Sequence, residues 1–371
     1  MGHFHPLVPL AGAFALAGHD VAFATSPYFQ DRVETAGFAF LPAGIDYPER
    51  TARFEPFQAE HLALPFEERR AFIFPRMFGT IEAPAKIAEL RELVRTWQPD
   101  LIVHDSSDFA APVAADEAEI LSVNHSFGRM VPLDVVADTA CKAGLSADPL
   151  GGMFRGIYVD IAPPTFQIEA LPAGAQVEPL RPVPVEPPAT ERVPAWLDRL
   201  QDRPTVYVTL GTVFNDLSVF GVLLEALAVV DCNVIATVGP SRDPAELAPF
   251  PDNAHVERYI SQSLVLPLAS VAVVHGGSGS TLAALAHGLP MLVVPQAADQ
   301  FENAEQCVAI GVGKLLLPDE LTAQAAREAV VSLLEDDLHR ESARGVAQEI
   351  SAMPEPAALV PMLVATALQA R

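Results

Sequence analysis

The chain has 371 residues, half of them apolar and 19% charged. That balance excludes a disordered chain, a disulfide-stapled miniature domain and a single small module. Its 23 Lys and Arg against 47 Asp and Glu give a formal charge of −24, which repels nucleic-acid phosphates and anionic lipid alike, so neither nucleic acid nor a membrane is an expected partner.

At roughly 100–200 residues per domain, the length predicts two domains. From Pro6 onward, Leu7, Leu10, Phe14 and Ala17 recur at helical spacing, Gly18 stops the helix, and residues 20–25 (DVAFAT) read as a strand. A helix over Ile87–Thr96, a buried strand over Leu101–Val103 and a helix over Ala110–Glu117 follow. A doubly wound domain ordinarily opens with a strand that feeds its first helix. Here the opening residues read as the loop before that helix, so a missing first strand, from a truncated or misassigned start, is expected.

Residues 178–188 are dense in proline, which opposes strand pairing and favours stiff extended chain, as a linker needs. The alternation then resumes with strands over Thr205–Leu210, Asn233–Val238, Val271–Val274 and Met291–Val294. Helices are expected over Leu217–Val230, Ser280–His287, Ala304–Ile310, Ala323–Leu334 and Arg340–Ile350. A last helix, Pro354–Leu368, carries Leu359, Met362, Leu363, Thr366 and Ala367 on one face. Short apolar strands between helices imply two parallel sheets covered on both faces, that is, two doubly wound Rossmann-like α/β domains. The expected division is an N-terminal domain over 1–177, a linker over 178–200, a C-terminal domain over 201–351 and a terminal helix over 352–371.

Cys141, Cys232 and Cys307 are widely separated with no CxxC spacing. They suit neither a zinc site nor a disulfide framework and fit a reducing compartment. No basic stretch followed by an apolar run opens the sequence, and no apolar run approaches the roughly 18–20 residues of a membrane span, so the cytoplasm is the expected location.

The sharpest motif is His275-Gly276-Gly277-Ser278-Gly279-Ser280-Thr281, between the strand VAVV and a helix. Glycines let a ligand approach the backbone, the helix start presents free N–H groups, and the dipole there favours an anion; a plain tight turn is the alternative. The spacing is neither that of a P-loop nor that of a dinucleotide fingerprint. Asp299-Gln300, after the strand MLVV, pairs a carboxylate with a carboxamide, which suits sugar hydroxyls that both donate and accept. Asp299 reads equally well as the cap of the next helix. Tyr259, before Ile260-Ser261-Gln262, offers an aromatic face for a base, or simple packing.

Together, Tyr259-Ile260-Ser261-Gln262, HGGSGS, Gly288-Leu289-Pro290 and Asp299-Gln300 resemble the donor-binding signature of family 1 glycosyltransferases of GT-B fold, of the bacterial antibiotic and natural-product type that includes the calicheamicin and macrolide glycosyltransferases. The likeness extends to Gly2-His3-Phe4-His5-Pro6-Leu7 at the start and to the segment around Asp105. It also reaches Met353-Pro354-Glu355-Pro356, where the family's tail helix crosses back onto the N-terminal domain. The resemblance implies that Tyr259 stacks on the nucleotide base, Ile260 contacts its edge through the backbone and Gln262 reaches the ribose. It places the diphosphate on His275, Gly277, Ser278, Gly279 and Ser280, with Gly211 and Thr212 near its β-phosphate, and the sugar hydroxyls on Asp299 and Gln300. Ala283 stands where many members carry a ribose-binding Glu, Ser261 where they carry Pro, and Ser280 where Thr is common. These departures leave the nucleotide open between uridine and thymidine.

The resemblance further implies that His3 is the general base and Asp105 the carboxylate that orients it, a pairing able to deprotonate a hydroxyl near neutral pH. Other readings are a disordered terminal residue for His3 and a loop cap for Asp105. The expected reaction is sugar transfer with inversion from a TDP- or UDP-sugar co-substrate to a lipophilic hydroxyl acceptor. No cofactor and no metal are expected, since no DxD motif or ligand spacing occurs. A sugar-nucleotide-binding protein without turnover is the alternative, and homodimerisation is left open. Phe54, Phe57, Phe66, Phe72, Phe74 and Phe78 would line the acceptor site or fill a core, and Asn124–Gly128 could add polar acceptor contacts.

Overall fold

The computed structural model describes residues 2–145, 147–184, 193–211 and 216–369, apart from the side chains of Phe66 and Glu67. The chain divides into two compact units. The N-terminal unit comprises Leu7–Ala162, Gln167–Arg181 and Pro354–Arg371; the C-terminal unit comprises Met1–Pro6, Pro163–Phe166 and Pro182–Met353.

The N-terminal unit opens with α1 (Val8–Leu16), β1 (Ala22–Thr25), α2 (Gln30–Thr35) and β2 (Ala39–Pro42). Next come α3 (Tyr47–Ala63) and α4 (Phe66–Phe74), then a π-helical segment over Pro75–Glu82 that runs straight into α5 (Ala83–Trp97). β3 (Leu101–Asp105), α6 (Ala111–Glu117), β4 (Leu121–His125), α7 (Leu133–Lys142), β5 (Ile157–Asp160) and β6 (Gln176–Pro179) complete its first pass. Every strand pair is parallel, but the strands form two sheets, β1-β2 and β3-β4-β5-β6. Ala24 of β1 and Ile102 of β3 pack on one cluster with Leu90, Ala110, Ala111 and Ala114, although the two strands are not hydrogen-bonded neighbours.

The expected linker needs correction at both ends. Residues 176–179 form β6, paired with β5 from Ile157↔Gln176 to Asp160↔Pro179. Proline is tolerated there because β6 is an edge strand and Pro179 ends it. Near the other end, Leu197 is buried, and the Trp196 ring stacks on His255 at 4.0 Å while its Nε1 donates to Glu257 Oε1 (3.1 Å). Residues 185–192, in the middle of the expected linker, lie outside the described residues.

The C-terminal unit contains β7 (Thr205–Thr209), α8 (Leu217–Leu227), β8 (Asn233–Thr237), β9 (Ala254–Glu257), α9 (Gln262–Val265), β10 (Val271–Val274) and α10 (Ser278–Ala286). β11 (Met291–Val293), α11 (Gln300–Ala309), β12 (Gly313–Leu315), α12 (Ala323–Glu335) and α13 (Asp337–Ala352) follow. The six strands are parallel in the order β12-β11-β10-β7-β8-β9, a doubly wound sheet whose order reverses between β7 and β10. One face is sealed by Phe220, Leu223, Leu224 and Leu227 of α8 and Ala326, Val330 and Leu333 of α12 against Val206, Val208, Val234 and Val273. Full burial of such side chains contributes roughly 1.5–3 kcal/mol each, so the sheet is a rigid base for the loops at its carboxyl edge.

α14 (Pro356–Gln369) buries Leu359, Val360, Leu363 and Ala367 and packs against α1 within the N-terminal unit. Its entry is tied down where Arg181 N donates to Pro354 O (2.8 Å) and Arg181 Nη1 pairs with Glu355 (2.9 Å). No single described helix is long and apolar enough to cross a membrane.

Candidate active site

In an open α/β sheet, the crevice for ligands lies outside the strands' carboxyl ends where the strand order reverses. In the C-terminal unit those ends are Gly211, just past β7, and His275, just past β10. The two are in van der Waals contact: a Cβ on Gly211 would come within 2.7 Å of the His275 ring. Gly211 adopts φ +79° and Gly276 φ +85°, a left-handed conformation that glycine reaches without strain. A Cβ on Gly276 would also strike Gln300 O at 2.7 Å, so the turn needs glycine for conformation and for room. Gly277 packs on the His275 ring in the same way. Thr212, expected beside Gly211, lies outside the described residues.

α10 begins at Ser278 with Gly277 as its N-cap, with no side-chain cap and no acidic residue in its first turn. Its first N–H groups are therefore available to an anion. His275 Nδ1 is enclosed without a hydrogen-bond partner. Burial pushes the imidazole down to about 4, against a smaller opposing pull from Asp299, so the ring is neutral at pH 7 and can donate from one nitrogen.

Asp299 occupies the cap position of α11 but makes no side-chain cap bond. Its Oδ2 instead accepts from Ser278 Oγ (2.9 Å) and Asn303 Nδ2 (3.2 Å), and Asn303 also donates to Gly276 O (2.9 Å). Gln300 is buried, and its Oε1 accepts from the backbone N–H of Gln296 (2.8 Å) and Ala297 (3.0 Å). Its oxygen holds the turn after β11, which leaves only its Nε2 to offer a sugar hydroxyl. Gln262 Nε2 donates to Ser280 Oγ (3.2 Å), so these two expected donor residues meet. Tyr259 keeps an exposed ring, while Ile260 is buried behind it. Gly279 lies exposed in the first turn of α10.

In the N-terminal unit, Asp105 ends β3 opposite His125 of β4. Its Oδ1 accepts from Ser107 N (2.8 Å) and from the Ser107 hydroxyl. His104 points into the core and bonds Ser122 Oγ (3.1 Å), and burial lowers its pKa. Lys86 and Asp108 form a largely buried ion pair (2.7 Å). Asn124, His125 and Ser126 are fully buried, and burial pushes His125 down to about 4. Phe72 and Phe74 are buried as well, and Phe74, Phe127, Val136 and Met153 share one apolar cluster with Phe78 packed on it. His3 is exposed in the segment grouped with the C-terminal unit, whereas Asp105 belongs to the N-terminal unit.

Residues 12–211 match the family described as Erythromycin biosynthesis protein CIII-like, N-terminal domain, and residues 221–366 match the corresponding C-terminal domain. The chain belongs to this family. It is 33% identical to an L-demethylnoviosyl transferase of Streptomyces niveus, over 98% of this chain and 95% of that protein. Among solved structures it is similar to the glycosyltransferase SnogD of Streptomyces nogalater (TM-score 0.78, 27% identity, 99% and 96% of the two chains). It is similar too to the glycosyltransferase VinC in complex with dTDP (TM-score 0.78, 25% identity, 99% and 97%). The protein is thus a GT-B glycosyltransferase of the antibiotic and natural-product type.

Two features of this glycosyltransferase escape a reading of its sequence. Asn303 joins Gly276, Ser278 and Asp299 into one network, yet in sequence it is only a polar residue inside an amphipathic helix; the signal was its spacing four residues after Asp299, one helical turn along the same face. Trp196 and His255 brace β9, the strand that leads to Tyr259, and a Trp among prolines carries no such signal.

Proposed function

We propose that this glycosyltransferase moves a sugar from a thymidine or uridine diphosphate sugar to a hydroxyl of a lipophilic natural-product acceptor, by direct displacement at the anomeric carbon with inversion. The observation that carries the reading is the turn at the β7/β10 reversal. There the uncapped start of α10, the neutral His275 ring and the Asp299–Ser278–Asn303 network converge. A departing diphosphate placed there would gain hydrogen bonds along a helix dipole as its charge develops, the role that preorganised donors play for any developing anion. Among the described residues no three His, Cys, Asp or Glu side chains gather to hold a metal ion, and the helix start and His275 take the leaving-group charge in this reading. Thymidine diphosphate is the first donor nucleotide to try, because VinC binds it.

His3 serves as the base that takes the acceptor proton. The family resemblance implies that Asp105, its carboxylate fixed by Ser107, is the carboxylate that would orient it. The test is product analysis with TDP- and UDP-sugars against a panel of lipophilic alcohols and phenols. Transfer with inverted anomeric configuration, unchanged by a chelator, is expected. His3→Ala should lower kcat by on the order of 10²–10⁴ with TDP affinity intact. Retained configuration, or full activity in a folded His3→Ala variant, contradicts the mechanism.

A further inference from the structure

The two faces of β7 differ in chemistry. Val206 and Val208 point into the core built with α8 and α12. Tyr207 and Thr209 alternate with them and face the other way, and Thr209 pairs in register with Thr237 of β8. Tyr207 is buried, and its hydroxyl bonds Thr237 Oγ1 (3.0 Å). Thr209 and Gln262 hydrogen-bond to the same hydroxyl, and Tyr259 lies near enough to act on it electrostatically. Burial raises the phenol's pKa against smaller opposing pulls from Thr237, Thr209 and Gln262, so it is protonated at neutral pH. A phenylalanine would fill this position with no buried hydroxyl to satisfy; the tyrosine points to a use for that hydroxyl.

The Gln262 carboxamide shows what the use is. Its Nε2 donates to Ser280 Oγ (3.2 Å). The bond to Tyr207 pulls the phenol's pKa down, as a donor to that oxygen does, so it takes the second amide N–H. With both N–H groups turned inward, Oε1 is the end left to face a ligand, and an amide oxygen only accepts. The last torsion of a glutamine is broad, so without the phenol the carboxamide is free to turn and exchange its oxygen for its nitrogen.

We propose that Tyr207 is a positioning residue for the donor nucleoside: its hydroxyl holds the Gln262 carboxamide oxygen outward, where it accepts from a hydroxyl of the nucleotide's pentose. The inference rests on Gln262 reaching the pentose and on the nucleotide being thymidine diphosphate, whose deoxyribose keeps one free hydroxyl, the 3′-OH. TDP and 3′-deoxy-TDP differ in that hydroxyl alone. Both are titrated into the wild type, Gln262→Ala and Tyr207→Phe.

The wild type should prefer TDP about tenfold in Kd, one hydrogen bond's worth. Gln262→Ala and Tyr207→Phe should each lose that preference while binding inorganic diphosphate as the wild type does. Lost packing would weaken both nucleotides together and leave their ratio unchanged. If Tyr207→Phe does not fold, Thr237→Val, which removes a partner of the phenol, should narrow the preference in its place. A wild type indifferent to the 3′-OH, or a Gln262→Ala variant that keeps the preference, removes the pentose contact and the proposal with it. A preference lost in Gln262→Ala but kept in full by folded Tyr207→Phe, or by Thr237→Val in its place, leaves the contact standing and overturns the role of Tyr207.

Discussion

His275 is neutral at pH 7, because two glycines close over its ring and burial holds its pKa near 4. His125 is held near 4 for the same reason. The unfolded chain therefore binds more protons than the folded one between the ordinary histidine value of 6.5 and about 4, and stability falls as pH falls through that window. At pH 5 each of these two histidines removes about 2 kcal/mol. Asp160 works in the opposite sense: burial raises its carboxyl to about 6, so the folded chain takes that proton more readily and gains stability as pH falls below 6. Two strongly depressed histidines, joined by the lowered His104, outweigh one raised carboxyl. Denaturant unfolding at pH 5 should give a lower midpoint than at pH 7, and an equal or higher midpoint would contradict the neutral buried histidines.

Among the elements, the π-helical turn at Pro75–Glu82 is the most unusual. Gly79 faces α7 so closely that a Cβ would stand 2.5 Å from Thr139 O, and the segment continues the phenylalanine-rich run into the cluster of Phe74, Phe127 and Met153. Gly79→Ala should lower stability by about 1–3 kcal/mol, as overpacking a tight contact does; a thermal melt matching wild type would mean that the contact relaxes freely. Elements like this one were hidden in the sequence because their periodicity is not that of an α-helix and their aromatic residues read as cleft lining or core alike. β10 and β11 were legible as uninterrupted apolar runs, and β7 as an apolar centre between two threonines, all buried on both faces. β4 carries Asn124 and His125 at fully buried positions, where internal hydrogen bonds, invisible in sequence, make polar residues tolerable. The same limit applies at the site. Ser278, Ser280, Gln262 and Asp299 stood out through motif spacing, whereas the Asn303 link and the use of the Gln300 oxygen on its own loop depend on tertiary geometry.

For the whole molecule, the formal charge of −24 works against binding an anionic nucleotide diphosphate. In the proposed reading, affinity for the donor comes from short-range, directed contacts: the start of α10, the glycine turn and His275. Titrating TDP and thymidine into the wild type and into His275→Ala tests this most directly, because the two ligands differ only in the diphosphate. TDP should bind the wild type far more tightly than thymidine. His275→Ala should lose about tenfold for TDP, as expected for one charge-assisted hydrogen bond, and nothing for thymidine. TDP binding no tighter than thymidine, or full TDP affinity in a folded His275→Ala variant, would contradict the diphosphate cradle.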